Sequence, residues 1–453
     1  MSPGKTSISS HKPALLLALA ALLAAPLTGE EEAQNSEIIN ITLQNALDMA
    51  QKSNRTLQKN AIDLAVAKRA RDNLWTQVLS GISLGANASY GSIGIVKAAN
   101  DGNAEISWGL SAGLSLQLSA SLGASMNLIK LAYQSGLLEY ETGKRQLDLT
   151  VTKAFYMLLA EEQNLAILRE RRTQAEREAA QARVSYANGL MNEVNYSRSQ
   201  LSARQAQYEL GRAESAYSQN FDSFLLSLGE EDKAASGAQH FRLEGTITVH
   251  RHEPDAAALI SQFLPSRPDI AAAHQAVKNA ELRYTVQNMD GKIPSLTLRG
   301  SYSGKPANDF SDYTDGLSFS LALSVPLESW IPGSTANQNK LSALSNVEKA
   351  RLDLADAEQE ARRVIRSLCE TLRTSWQNIE IANQSVELAR RAYEMSSRAF
   401  REGAADFLTL ENDRTALASS RQNLLMEQLN YKLAVLDLAQ ALNVDAAEFF
   451  GEE

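Results

Sequence analysis

The chain has 453 residues, of which 44% are hydrophobic, so it is long enough to bury a large core. Only 6% of the residues are aromatic and Gly and Pro are sparse, which favours a mainly helical protein. The formal net charge of −9 argues against a nucleic-acid-binding protein, because that function needs a basic patch. The single cysteine, Cys369, excludes an internal disulfide framework.

The first residues have the order of a secretory signal peptide. Lys5 and Lys12 precede an apolar run from Ala14 to Ala25, and small and acidic residues follow it. This run is too short to span a membrane, and no other window offers the ~18 apolar residues that a spanning helix needs. We therefore expect an exported chain without a helical membrane anchor.

Four segments alternate between apolar and polar residues, which predicts β-strands. The clearest is Ile106–Ser119, whose polar positions are nearly all Ser and Gly. It exceeds the usual ~5 to 6 residues of a strand and suits the ~9 to 11 residues of a strand that crosses a bilayer. The others are Ile82–Tyr90, Leu296–Ser303 and Leu317–Glu328, so the four segments form two hairpins.

Four strands are too few to close a barrel. A sheet with free edges is excluded from lipid, because its unpaired N–H and C=O groups would have no hydrogen-bond partners there. If the strands span a membrane, several copies of the chain must share one barrel. A dimer would supply eight strands and a trimer twelve, which leaves room for a lumen; we favour the trimer.

Other segments have the spacing of helices. Residues 42–79 carry apolar residues at helical spacing, with Thr42 as a candidate N-cap. A long helix is predicted from about Ala124 to Tyr186, with apolar residues seven apart as in coiled coils. It breaks at Asn188-Gly189-Leu190, because Gly permits the left-handed conformation that ends a helix. We predict a return helix to about Leu228, with a seam formed by Val194, Leu201 and Tyr208.

The same order of elements returns after Pro268, at an offset of about 210 residues. A helix over Pro268–Asp290 precedes the second hairpin, and a second long helix begins near Asn337 and ends before Gly403. At ~1.5 Å per residue this helix would be on the order of 95 Å long, which suits a tube that projects from a membrane. Its seam is Ile365, Leu372, Ile379, Val386, Tyr393 and Phe400, and that of the return helix is Leu410, Leu417, Leu424, Tyr431 and Leu438. Between the halves we expect a small element with a strand at Thr246–Val249 and a short helix.

Several motifs resemble those of the TolC-like outer-membrane efflux proteins. They are Ser266-Arg267-Pro268-Asp269, Ile293-Pro294-Ser295-Leu296, Leu323-Ser324-Val325-Pro326-Leu327, and the turns Tyr186-Ala187-Asn188-Gly189-Leu190 and Phe400-Arg401-Glu402-Gly403. The resemblance covers about Ile41 to Asn443. It implies a homotrimer with a twelve-stranded barrel in the outer membrane of a diderm bacterium and a twelve-helix tunnel in the periplasm. It also implies a periplasmic membrane-fusion adaptor and an inner-membrane pump of the RND, ABC or MFS type as partners.

The resemblance assigns roles to residues near the two turns. Those expected to contact the adaptor at the periplasmic tip are Tyr186, Asn188, Gly189, Leu190, Phe400, Gly403 and Ala404. Candidates for the pore constriction are Asp406, Thr409, Glu411, Asn412 and Asp413. The chain departs from the family at Thr409 and Asn412, where acidic residues are frequent, and at Ala405, where an Arg is expected. We expect no catalytic residue, metal or cofactor.

These predictions divide the chain into nine segments. They are a signal peptide (1–29), a first helix (30–80), hairpin strands (81–119), a long helical hairpin (120–228), an intermediate element (229–267), a helix (268–292), hairpin strands (293–328), a second helical hairpin (329–443) and an acidic tail (444–453). The predicted function is the exit duct of a tripartite efflux pump or a type I secretion system. The alternative is an exported coiled-coil scaffold or adhesin with a soluble β cap; an enzyme ranks third.

Overall fold

A four-stranded sheet and a row of long helices make up the computed structural model, which describes residues 39–91, 105–229, 241–306, 313–402, 404–446 and 449. The predicted signal peptide and the loops inside both β-hairpins lie outside the described residues. The helices are α1 Leu43–Ser53, α2 Arg55–Asp72, α3 Leu122–Ala187, α4 Glu193–Ser227, α5 Ala256–Phe263, α6 Pro268–Asp290, α7 Thr335–Arg401 and α8 Phe407–Leu442. The strands are β1 Ile39–Ile41, β2 Leu79–Gly91, β3 Glu105–Leu118, β4 Phe241–Leu243, β5 Ser295–Pro306 and β6 Tyr313–Ser324.

The four predicted strand segments pair into one antiparallel sheet in the order β2-β3-β5-β6. Its register places the apolar residues of all four strands on one face. One row across the sheet, for example, contains Ile82, Leu114, Gly300 and Phe319. Gly300 leaves room for the Phe319 ring, which would lie 3.2 Å from a Cβ atom at this position. The period-two pattern is therefore confirmed as one continuous apolar face.

The opposite face of the sheet carries small polar residues. Ser301 and Ser318 lie opposite each other and their hydroxyl groups are 2.8 Å apart. A Cβ atom at Gly85 or Gly113 would lie 3.0 Å from the serine hydroxyl of the paired strand. Residues larger than Gly and Ser would crowd this face.

The long helices lie side by side in a row. In the half near the turns, the order of contact is α4-α3-α8-α7. In the half near the sheet, α2 takes the place of α4 and α6 takes the place of α8, which gives α2-α3-α6-α7. Two copies of one arrangement, a short helix, two strands and a long helix, thus stand next to each other. The predicted internal duplication agrees with this arrangement.

Each helical hairpin packs around its own apolar cluster. In the first, Val151 and Phe155 of α3 meet Phe221 and Leu225 of α4, with Ile41 of β1. In the second, the predicted seam residues Ile365, Leu372 and Ile379 of α7 pack against Tyr431 and Leu438 of α8. The seven-residue pattern of these two helices is confirmed.

Three sequence predictions were wrong in detail. The helix predicted over residues 42–79 is broken at Asn54, whose side chain accepts from the N–H groups of Thr56 and Leu57 and so begins α2. Thr42 does cap α1. The strand predicted at Thr246–Val249 is absent from this described segment; β4 precedes it and pairs in parallel with β1. The fourth strand ends at Ser324 instead of Glu328, because Pro326 cannot donate to a ladder.

The segment between β4 and α5 crosses from the first helical hairpin to the second. At one end Gly245 lies against the Phe155 ring of α3. At the other, the Tyr431 hydroxyl of α8 donates to the carbonyl oxygen of His250 at 2.7 Å and accepts from the N–H of His252 at 2.9 Å. We call residues 244–255 the belt, since they tie the two hairpins together near mid-height.

The Ser266-Arg267-Pro268-Asp269 motif joins the start of α6 to the end of α8. Arg267 binds both carboxylate oxygens of Asp269, at 2.9 and 2.6 Å, and donates to the carbonyl oxygen of Ala441 at 2.7 Å. Pro268 occupies the first turn of α6, where its missing N–H costs nothing. The motif has a structural role in this fold.

Candidate functional site

The first turn, between α3 and α4, has the expected conformation. Gly189 adopts a φ of 71°, in the left-handed region that favours glycine, and the N–H of Leu190 donates to the carbonyl oxygen of Ser185 at 2.8 Å. Asn188 is the C-cap of α3, and Asn192 caps α4 by accepting from the N–H of Asn195 at 2.8 Å. The turn is therefore held by its own hydrogen bonds.

Two features make this first turn a candidate contact surface. The Tyr186 and Tyr196 rings stack with centroids 4.9 Å apart, which fixes the end of the hairpin. Leu190 is 81% exposed at the extreme of the turn, although it is apolar. An apolar side chain held rigidly in this position is suited to contact with another protein.

The second turn, between α7 and α8, is held by a different set of contacts. The N–H of Ala404 donates to the carbonyl oxygen of Ala399 at 2.8 Å, and the Phe400 and Phe407 rings meet edge to face at 6.2 Å. Gly403, which was expected to shape this turn, lies outside the described residues. Phe407 is buried, so the start of α8 is anchored in the hairpin.

The predicted constriction residues have different environments. Asp406 caps α8: it accepts from the N–H of Thr409 at 2.9 Å and from its hydroxyl at 2.5 Å, and these hydrogen bonds lower the pKa of Asp406. Asn412 is exposed and Asp413 is half-buried. Glu411 instead faces α4, where its Oε1 atom accepts from the Ser202 hydroxyl at 2.8 Å. The five positions do not share one surface, and their role in a constriction remains a prediction.

A buried ionic cluster, which the sequence analysis missed, lies between the hairpins close to the turns. Arg414 of α8 is only 2% exposed; it donates to Glu178 of α3 at 2.6 Å and to the Ser202 hydroxyl of α4 at 2.6 Å. It also pairs with Glu411 on its own helix. Burial raises the pKa of Glu178, an effect that Arg414 opposes and the nearby Glu411 reinforces. We call these four residues the Arg414 cluster.

One signal in the sequence could have revealed this cluster. Arg414 lies seven residues after Phe407 and four after the seam residue Leu410, so it occupies an inward position of the coiled-coil pattern. A charge at such a position requires partners, because an unpaired buried charge is very costly. The partners lie on helices distant in sequence, and spacing alone does not identify them.

The outer edges of the helical row carry apolar residues that have no partner within the chain. The prediction that Val194, Leu201 and Tyr208 form a seam with α3 was wrong: all three are more than half exposed. On the opposite edge, Ile381, Leu388 and Met395 of α7 are also more than half exposed and also lie seven residues apart. We call these two sets the α4 stripe and the α7 stripe.

The comparisons with known proteins agree with this architecture. A family described as outer membrane efflux protein matches residues 259–444, which include α6, α7 and α8. This half of the chain belongs to the outer membrane efflux protein family. The resemblance stated from the sequence motifs is thereby confirmed. A comparison with curated proteins gave no match.

Solved structures of outer membrane proteins share the fold of this efflux-family chain. The Campylobacter jejuni CmeC outer membrane channel has a TM-score of 0.74 at 14% identity, over 90% of this chain and 88% of that one. The outer membrane protein VceC from Vibrio cholerae has 0.71 at 16% identity, over 89% and 96%. A membrane protein from Pseudomonas aeruginosa has 0.72 at 18% identity, over 90% and 91%. The predicted fold class is confirmed over both halves of the chain.

Proposed function

We propose that three copies of this chain form a passive duct through the outer membrane, the exit of a tripartite efflux pump or type I secretion system. The observation that carries the proposal is the apolar face of the sheet. Its large side chains are exposed on all four strands, with Leu84 of β2 at 85% and Phe319 of β6 at 74%. A soluble protein rarely exposes so continuous an apolar surface, whereas a lipid-facing barrel wall requires one.

The edges of the sheet support the pooling of several chains. Within the described strands, β2 and β6 each pair on one side only. Unpaired edge groups are not tolerated in lipid, so β6 of one copy must meet β2 of the next until the ring closes. Three copies give twelve strands, enough for a water-filled lumen lined by the Ser and Gly face.

The helices support the same assembly. The α4 and α7 stripes lie on opposite edges of the row, and both are next to the turns. In a closed ring, α7 of one copy would lie beside α4 of the next. Apolar residues at seven-residue intervals on both helices would then form the coiled-coil seam that each stripe lacks within the chain.

The partners follow from the position of the turns. They are the part of the chain furthest from the sheet, and Leu190 and Ala404 are exposed there. We propose that the turns meet a periplasmic adaptor coupled to an inner-membrane pump. The duct itself catalyses no reaction; it supplies the path and the pump supplies the energy.

Among the helices of the described residues, none is long and apolar enough to cross a membrane.

The proposal is tested by reconstituting the purified mature protein into planar bilayers. We expect discrete ion-conducting steps, because the lumen of the assembled strands is polar. Release of the protein with the soluble periplasmic fraction and the absence of conductance would contradict the duct and favour an exported scaffold with a soluble β cap.

A further inference from the structure

The two helical hairpins meet along one line only in the half of the row near the turns. This line, the α3–α8 seam, changes in character along its length. At mid-height it is apolar, with Ala160 of α3 packed against Leu425 and Leu429 of α8, and the belt crosses it there. Separating the hairpins at this level would expose apolar surface.

Towards the turns, the contacts across the α3–α8 seam are polar. Arg421 of α8 pairs with Glu170 of α3 at 2.9 Å, and both side chains are substantially exposed. The next contact towards the turns is between Arg414 and Glu178, and here the arginine is buried. This end of the seam can open without uncovering an apolar core, provided that the Arg414 cluster breaks.

Accordingly, we propose that Arg414 is a latch that holds the two hairpins of each chain together near the turns, with the belt as the fixed point. Arg414 suits this role because its guanidinium reaches both helices of the first hairpin at once, Glu178 on α3 and Ser202 on α4. A planar group with several donors fixes the direction of its partners as well as their distance. The inference rests on the proposed function, because it assigns a restraint on the opening of the duct.

The Arg421–Glu170 pair provides a matched control. It joins the same two helices, one coiled-coil repeat further from the turns, through the same types of side chain. An exposed ion pair contributes little because water screens it, whereas removing one partner of a buried pair leaves a charge without compensation. The latch therefore predicts a large effect from Arg414→Met and almost none from Arg421→Met.

The first measurement is the single-channel conductance of the wild type and both variants in planar bilayers. We expect a several-fold larger conductance for R414M, because the hairpins separate near the turns, and wild-type conductance for R421M. Equal conductance for all three proteins would overturn the latch.

The second measurement does not depend on conduction. Spin labels at Leu190→Cys and Ala404→Cys, in a Cys369→Ser background and diluted with unlabelled chains, report the distance between the two turns of one chain in detergent. R414M should lengthen and broaden this distance, and R421M should leave it unchanged. An unchanged distance in R414M would refute the latch even if the wild type conducts, and a wild type without conductance would refute the duct but not the latch. If R414M does not assemble, Glu178→Gln serves as the variant, with the same expected direction.

Discussion

Glu178 is a carboxylate that the fold partly removes from water beside Arg414. Burial raises its pKa in the folded chain above the usual 4.5, so ionising it costs more there than in the unfolded chain. Its contribution to stability is complete below the unfolded value and is lost as the pH rises through the folded value. The buried ion pair thus specifies the position of the hairpins more than it adds net stability.

This shift predicts how the stability of the wild type differs from that of Glu178→Gln. As the pH rises from about 4 towards neutral, the wild type should lose stability relative to the variant, which has no group to ionise at this position. The measurement is the urea midpoint of the helical circular dichroism signal at a series of pH values. Parallel curves for the two proteins would show that Glu178 ionises as readily when folded as when unfolded.

Cys369 illustrates a second buried group with a simple chemical test. Its thiol lies in the apolar cluster of α7 and α8, and burial raises its pKa. The thiolate is the reactive form, so both effects protect the sulfur from reagents. We expect slow reaction with an aromatic disulfide reagent in the native protein and complete reaction in urea. Immediate stoichiometric labelling of the native protein would contradict this burial.

Two glycines of the first hairpin, at the scale of a structural element, predict opposite responses to the same substitution. Gly189 has a left-handed φ of 71°, so Gly189→Ala should destabilise the hairpin by about 1 kcal/mol. Gly211 lies inside α4 with open space around it, so Gly211→Ala should stabilise the helix by up to about 1 kcal/mol. Urea midpoints of the two variants measured beside the wild type test both; a shift in the same direction would refute the assignment.

The elements were largely predictable because their periods are regular. Alternation located the strands, and the seven-residue repeats located α7 and α8, since each pattern has one structural explanation. The break at Asn54 was missed because α1 and α2 share the same helical spacing on both sides of it, so only the capping side chain marks the boundary. The strand at Phe241–Leu243 was missed because it depends on pairing with β1, about 200 residues earlier in the chain.

The candidate site was less predictable than the elements. Sequence spacing identified Val194, Leu201 and Tyr208 as a seam, but it carries no information about which helix covers them. Arg414 and Glu178 are 236 residues apart, so their contact emerges only when α3 and α8 pack. Long-range pairing, and not local propensity, separates what could be predicted from what could not.

Two leucines of α7 distinguish stability of the chain from assembly of several chains. Leu372 is fully buried within the chain, so Leu372→Ala should lower the free energy of unfolding by about 2 to 5 kcal/mol. Leu388 belongs to the exposed α7 stripe, so Leu388→Ala should leave the chain folded and reduce the fraction of assembled protein in detergent. Light scattering and circular dichroism separate the two effects. Loss of helix in L388A without loss of assembly would contradict the proposed role of the stripe.

At the scale of the whole molecule, both layers of the chain end in edges that require another copy. The sheet ends at β2 and β6, and the helical row ends at the α4 and α7 stripes. The same rotation about one axis would cover both kinds of edge, which is why a ring satisfies them together. A ring of copies also turns a four-stranded ribbon and four columns of helices into a continuous wall.

The mass of the native assembly in detergent tests this account most directly. Native mass spectrometry of the purified mature protein should show three copies of the chain, held together by twelve strands and by the paired stripes. A single copy that stays in solution without detergent would contradict the account.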